Sequence, residues 1–383
     1  MALELKRDSL VFSFPDVHPD CSCTITFVRT LRIPDDNKTY PLPPGLGPFP
    51  LKHVDDFADR IPAKWKDHGG IMLPMYQSEA MWLQFSVSRA AAQGNYPFAI
   101  KVATGKRSAL TGEDWSPTLR EKDYCVAPKQ PWLDGYVIDK DTIRQFVAAP
   151  LGMGFSAEEQ ITGKADHGGL QIEVMPMKRE VFDRRFPKRE EQKTRGGVLR
   201  TASLGFNGTK GVIEGVIAET NEYSSTMDFM SLDCERGIDG PVACAAAAAK
   251  PDMGLAPGGR MKQEVFEDPY DFNDWDRSQH GRCFVHLSNS LAWRAITKND
   301  PPTAPRTALE YTRYGLPWFD LYQDGTGLDG TKLTKELKSV MALGFQKGFS
   351  ILPENEAVEF KSDQIVKVRA KGEAEVRDGK WAE

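Results

Sequence analysis

Two short stretches of this chain bring histidine and cysteine close enough in sequence to suggest metal chemistry. In HGRCFVH, His280, Cys283 and His286 fall at i, i+3 and i+6, and three such ligands with a bound water would make a catalytic zinc site. That spacing spreads the ligands around a helix and sets neighbours on opposite faces of a strand, so one element cannot aim all three at one ion. The second grouping, His18 with Cys21 and Cys23, offers one short loop and too few donors. The sequence therefore predicts no metal site and no cofactor. It has no GxSxG elbow, no SxxK and no papain-like cysteine context. P-loop and GxGxxG turns are also missing. A triad assembled from distant residues would leave no such trace.

Residues suited to holding a ligand are easier to find. Between Gln130 and Lys178, Trp132, Asp134, Arg144, His167 and Glu159 could line a polar pocket at the loop ends of a sheet, as in a hydrolase or another small-molecule enzyme. The plainer reading makes Trp132 a core residue, His167 a turn residue and the charges solvated. Gly258-Gly259-Arg260 could offer backbone N–H groups and a guanidinium to an anion. Two stretches, 264–276 (EVFEDPYDFNDWD) and 316–329 (LPWFDLYQDGTGLD), mix acids with aromatics. Neither has the ligand spacing of an EF-hand. Such loops suit a sugar or a peptide, with Trp318 and Phe319 as stacking rings and Asp320 as an acceptor in a carbohydrate-binding module. The alternative is that their rings anchor long loops to a core.

The elements that must position these residues are mostly strands. Leu10, Phe12 and Phe14 alternate with smaller or polar neighbours, as do Cys23, Ile25 and Phe27, and Phe98, Ile100 and Val102. Gly135–Ile138 and Thr142–Val147 form a hairpin that Pro150 ends. Ser156 with Glu159 is a capping box opening a short helix. Leu170, Ile172 and Val174 alternate with Gln171 and Glu173, which predicts one buried and one wet face. PLPPGLGPFP at 41–50 holds five prolines and is expected as an extended strap. A helix is expected within 53–65, and the stretch from Glu79 suits a strand or a helix. Lys178–Arg195, with eight basic and four acidic residues, reads as a charged linker or helix, docked by Phe182 and Phe186 at i,i+4.

Further on, strand-like patterning at 198–218 surrounds an Asn207-Gly208 turn, and an alanine run at 243–249 is too short to be helical alone. Met253–Arg260 reads as a flexible loop. Helices are expected at Cys283–Thr297, Thr307–Tyr314 and Thr331–Gln346, with closing strands at 358–360 and 365–368. The fold class is α+β: an antiparallel, sandwich- or barrel-like unit at 1–180, a charged segment at 181–197, and a mixed α and β unit at 198–383 with about three helices.

Composition narrows the function classes. A net charge of −5 over 383 residues gives no basic field for nucleic acid. No apolar run approaches the ~18 residues of a membrane span, and the charged, alternating start MALELKRDSLVFSF is not a secretory signal. The six cysteines are then expected as reduced thiols in a cytoplasmic protein. With no reaction motif present, the sequence predicts a non-enzymatic soluble protein. It would bind a small molecule or a sugar, or assemble with copies of itself, through β-rich surfaces and aromatic, acidic loops, without nucleic acid or membrane.

Overall fold

Alternation of buried apolar and outward residues writes the first ladder. A computed structural model describes residues 1–90, 93–188, 252–322, 327–348, 358–359, 361 and 364–369. Strands β1 (Ala2–Lys6), β2 (Ser9–Ser13) and β3 (Ser22–Thr30) form a meander, with Leu10 opposite Ile25 and Phe12 opposite Cys23. Helix α1 (Ala63–His68) and strand β4 (Ile71–Pro74) lead into β5 (Ala80–Val87), which pairs along the whole of β3. Next come β6 (Phe98–Thr104), the hairpin β7 (Gly135–Asp139) and β8 (Thr142–Pro150), helix α2 (Ala157–Thr162), β9 (Leu170–Pro176) and helix α3 (Arg179–Arg185).

After the stretch 189–251, β10 (Asp252–Lys262) and β11 (Gly281–Ser288) return to the same sheet. Antiparallel pairing then runs β1–β2–β3–β5–β8–β10–β11–β9–β6. The β5–β8 and β10–β11 contacts are only two residue pairs each, and these short joints let the sheet turn. Across the core, Phe14, just after β2, lies 6.0 Å from Phe98 of β6. The largest core cluster extends from Leu10 to Val358, through both units expected from the sequence. Each fully buried Phe or Leu in it contributes roughly 1.5–3 kcal/mol.

After β11 the described chain is helical except for one small parallel pair. Helices α4 (Ser290–Thr297) and α5 (Ala308–Arg313), strand β12 (Trp318–Tyr322), helices α6 (Lys332–Lys335) and α7 (Val340–Gln346), and strand β13 (Ile365–Arg369) complete the described chain. The fold is α+β, mostly antiparallel sheet towards the N-terminus with helices mainly in the C-terminal half. Among the described residues no helix is long and apolar enough to cross a membrane.

Several local expectations hold. The Ser156–Glu159 capping box forms with both of its hydrogen bonds. The helix expected at Thr307–Tyr314 forms as α5, capped by Thr307, and Phe182 docks α3 with Phe186 5.2 Å away. Others are corrected. Residues Gly45–Pro48, inside the proline-rich strap, form a short strand on β3, taking the edge where the β2 pairing has stopped. The helix expected at 53–65 is a single turn, Asp55–Phe57, with α1 beginning only at Ala63. The stretch from Glu79 is strand β5.

Strand β9 has no wet face, because Glu173 is buried with Lys101 at 3.2 Å and Arg282 at 2.7 Å. Met253–Arg260 is the interior of β10, not a loop. Cys283–Thr297 is a strand followed by a helix, divided by the N-cap Asn289. Thr331–Gln346 is two short helices with separate caps, Thr331 and Ser339. The strand pattern at 198–218, the alanine run at 243–249, Cys234, Cys244, residues 189–197 of the charged segment and the charged tail lie outside the described residues.

Candidate functional site

The acidic, aromatic stretch after β10 builds a cleft. Phe266 bridges to Gly327, which brings Leu328 beside the stretch. Asp271 then caps the turn Phe272–Asp274 through a reciprocal box, and fully buried Trp275 anchors its end. Asp268 is the organiser. Its Oδ1 accepts the Tyr270 backbone N–H at 2.8 Å, and its Oδ2 accepts the Tyr124 hydroxyl at 2.5 Å and the Trp275 indole N–H at 2.8 Å. One carboxylate thus ties the turn at 121–124 to the turn at 268–275.

The resulting cleft has a volume of about 260 Å³. Tyr124, Tyr270, Phe272 and Leu328 form its walls, and Glu121, Glu267, Asp268 and Lys122 its polar lining. Glu121 and Glu267 are exposed, whereas Tyr124 is buried. Three carboxylates face one ammonium, so the cleft favours cations. Cations already sit over the rings of this stretch: Arg277 lies 4.1 Å from the Phe272 centroid and Arg185 5.5 Å from that of Tyr270.

Burial, reinforced by the hydrogen bond to Asp268 and its charge, holds the Tyr124 phenol well above its ordinary value, so the group donates and does not act as a base. The Asp268 carboxylate already receives three donors. The lining residues contain no Ser, Cys or His to serve as a nucleophile or proton shuttle.

The chain matches no protein-family model, no curated protein and no solved structure.

The residues singled out by sequence are dispersed. Trp132 is buried edge-on against Trp82, with ring centroids 6.3 Å apart. Asp134 is buried in a reciprocal pair with Gln263: its Oδ2 accepts the amide of Gln263 at 2.6 Å, and its N–H donates to Gln263 Oε1 at 3.1 Å. Arg144 is buried, donates to the Gly258 carbonyl at 3.0 Å and lies 3.6 Å from Asp35. Burial lowers its pKa, and Asp35 partly offsets that effect.

Arg260 stands directly across the ladder from Arg144, with its Nε lacking a hydrogen-bond partner. His167 lies beyond the other end of that ladder, near the Pro150–Met253 pair. Six residues of strand, roughly 20 Å, separate that pair from Arg144. Trp132, Asp134, Arg144 and His167 therefore do not share one pocket. Trp318 is fully buried and donates to the Thr312 hydroxyl at 3.1 Å, so its face cannot stack on a sugar. Asp320 sits in β12 opposite Lys367 of β13. Glu159 is buried and holds the loop before α2, accepting from the N–H groups of Gly152 and Gly154 at 2.8 Å each.

HGRCFVH runs into β11, with His280 just before the strand and Cys283 and His286 on it. Cys283 is buried there, with its thiol pushed up to about 12 by that burial. Cys21 and Cys23 are buried with raised thiol pKa values, and the His18 ring accepts the Asp20 N–H at 3.0 Å. Among the described residues no group of three or more His, Cys, Asp or Glu side chains is placed to hold a metal ion. Sequence reading missed Glu121, Lys122 and Tyr124 because their stretch carries no periodicity. It also missed His68, whose ring lies 6.4 Å from that of His167.

Proposed function

We propose that this chain is a binding protein and that its cleft takes an alkylammonium or guanidinium group, carried by a polyamine or by a basic peptide side chain. What carries the reading is the lining: three carboxylates and one lysine around an aromatic-walled space, with the inner carboxylate, Asp268, already held by three donors. A ligand cation would enter between the exposed Glu121 and Glu267 and lie against Tyr270 and Phe272. Each exposed ion pair contributes up to ~1 kcal/mol, and a cation–π contact adds about 0.5–1 kcal/mol.

Calorimetric titration with spermidine and with a lysine-rich peptide, at low and at physiological salt, tests this. Binding should weaken with salt, and a Glu121→Gln/Glu267→Gln double variant should weaken it about tenfold. Equal affinity for a neutral oligosaccharide, or a double variant that binds like the parent chain, would sink the reading.

A further inference from the structure

Three of the six histidines of the chain meet at one corner, away from the cleft. His68 ends α1, His286 lies on β11 and His167 precedes β9. The His68 ring centroid is 6.4 Å from that of His167 and 6.0 Å from that of His286. Phe284 stacks on His68 at 4.4 Å and on His286 at 4.6 Å, and Trp65 stacks on His286 at 4.8 Å. The His286 Nε2–H donates to the Gly69 carbonyl at 3.0 Å. His68 and His167 differ from it: each has a buried Nδ1 with no hydrogen-bond partner. Two neighbouring rings with orphaned nitrogens are an anomaly in a folded chain.

The backbone around these rings is firmly built. Glu158 gathers the N–H groups of Asp166, His167 and Gly168 at 3.0, 2.8 and 2.8 Å. Gly169 has a positive φ of 55°, and a Cβ there would lie 2.4 Å from the Val285 carbonyl, so the loop can press against β11 only with glycine. Burial lowers the pKa of both rings, with Lys64 and Lys106 adding to it and Asp67, Asp166 and Asp252 opposing.

We propose that His68 and His167 bind one monovalent copper ion in two-coordinate fashion. A near-linear N–Cu–N unit needs ring centroids about 6.4 Å apart, from metal–nitrogen bonds of about 2.0 Å and roughly 1.2 Å from each nitrogen to its ring centre. The observed separation is 6.4 Å. Zinc demands three or four protein ligands, and no such group exists among the described residues. Copper suits imidazole, and a single positive charge is the least costly one beside Lys64, Lys106 and the Phe284 ring.

The test is anaerobic competition between the full chain and bicinchoninate for Cu(I), read by loss of the coloured chelate, with X-ray absorption of the loaded protein. One Cu(I) per chain in a two-nitrogen environment is expected. His68→Ala and His167→Gln should each lower the affinity at least ~100-fold, while His53→Ala and His280→Ala change nothing. His167→Gln keeps the test usable if His68→Ala fails to fold, because Glu158 holds that loop through its backbone. Cys234→Ser/Cys244→Ser should retain the copper, which excludes soft thiolate binding. No uptake, uptake insensitive to both histidine substitutions, uptake lost only with the cysteines, or tighter four-coordinate zinc binding would each overturn the proposal.

Discussion

The Asp268 cleft and the histidine corner are each organised by one carboxylate, yet they end in opposite states. Asp268 draws two of its three donors from side chains, Tyr124 and Trp275. Tyr124 is thereby fixed as a wall and Trp275 as the anchor behind it, and the exposed Glu121 and Glu267 are left facing water. Glu158 draws all three of its donors from backbone N–H groups. That satisfies the loop while His167 Nδ1, like His68 Nδ1 beside it, is left without a hydrogen-bond partner. A carboxylate that captures side chains makes a finished surface. One that captures backbone frees the side chains it positions.

The sharpest way to break this contrast is Glu158→Ala. Three backbone N–H groups, one of them buried, would lose a charged acceptor, and the expected loss is about 4 kcal/mol in urea unfolding. Faster amide exchange at Asp166–Gly168 should accompany it, and a cost below about 1 kcal/mol would mean that Glu158 does not hold the loop. The next effect depends on pH. Burial holds His286 at about 4 against an ordinary 6.5, with the Gly69 hydrogen bond partly opposing. The unfolded chain then takes up the proton first. This contribution is therefore intact above pH 6.5 and is lost as pH falls towards 4, roughly 3 kcal/mol in all. His286→Gln should flatten the difference between urea midpoints measured at pH 7 and pH 4.5. Smaller again, Asp268→Asn should cost about 2 kcal/mol. Glu267→Gln, at the exposed rim, should stay within about 0.5 kcal/mol. Equal costs for those two would erase the distinction between organiser and rim.

What the sequence made legible was local. Ser156 and Glu159 are three residues apart, and the capping box needs nothing else. The hairpin β7–β8 likewise follows from its own alternation. Glu173 was read as facing water because its partners, Lys101 and Arg282, lie on other strands far along the chain. Gly258-Gly259 looked like a flexible loop. Instead, Gly259 lets the segment at Pro34 pass over β10, where a Cβ would lie 2.3 Å from the Pro34 carbonyl. In 283–297 the apolar residues fit two periods at once, and Asn289 was the overlooked sign of where one element stops. Of the cleft, the acidic, aromatic stretch at 264–276 was visible, but its opposite wall at 121–124 was not. The histidine corner joins α1, β11 and the loop before β9, which no spacing rule connects.

The place of β10 and β11 in the sheet has a consequence for synthesis on the ribosome. β10 covers the side of β8 only after residue 262 has been made, and β11 the side of β9 only after residue 288. At about 5–20 residues per second, the nascent chain carries these open strand edges for on the order of ten seconds. Open edges invite pairing with other chains. The growing polypeptide is therefore most vulnerable to aggregation between the completion of β9 and the arrival of β11, the interval in which a chaperone would have its greatest effect on yield.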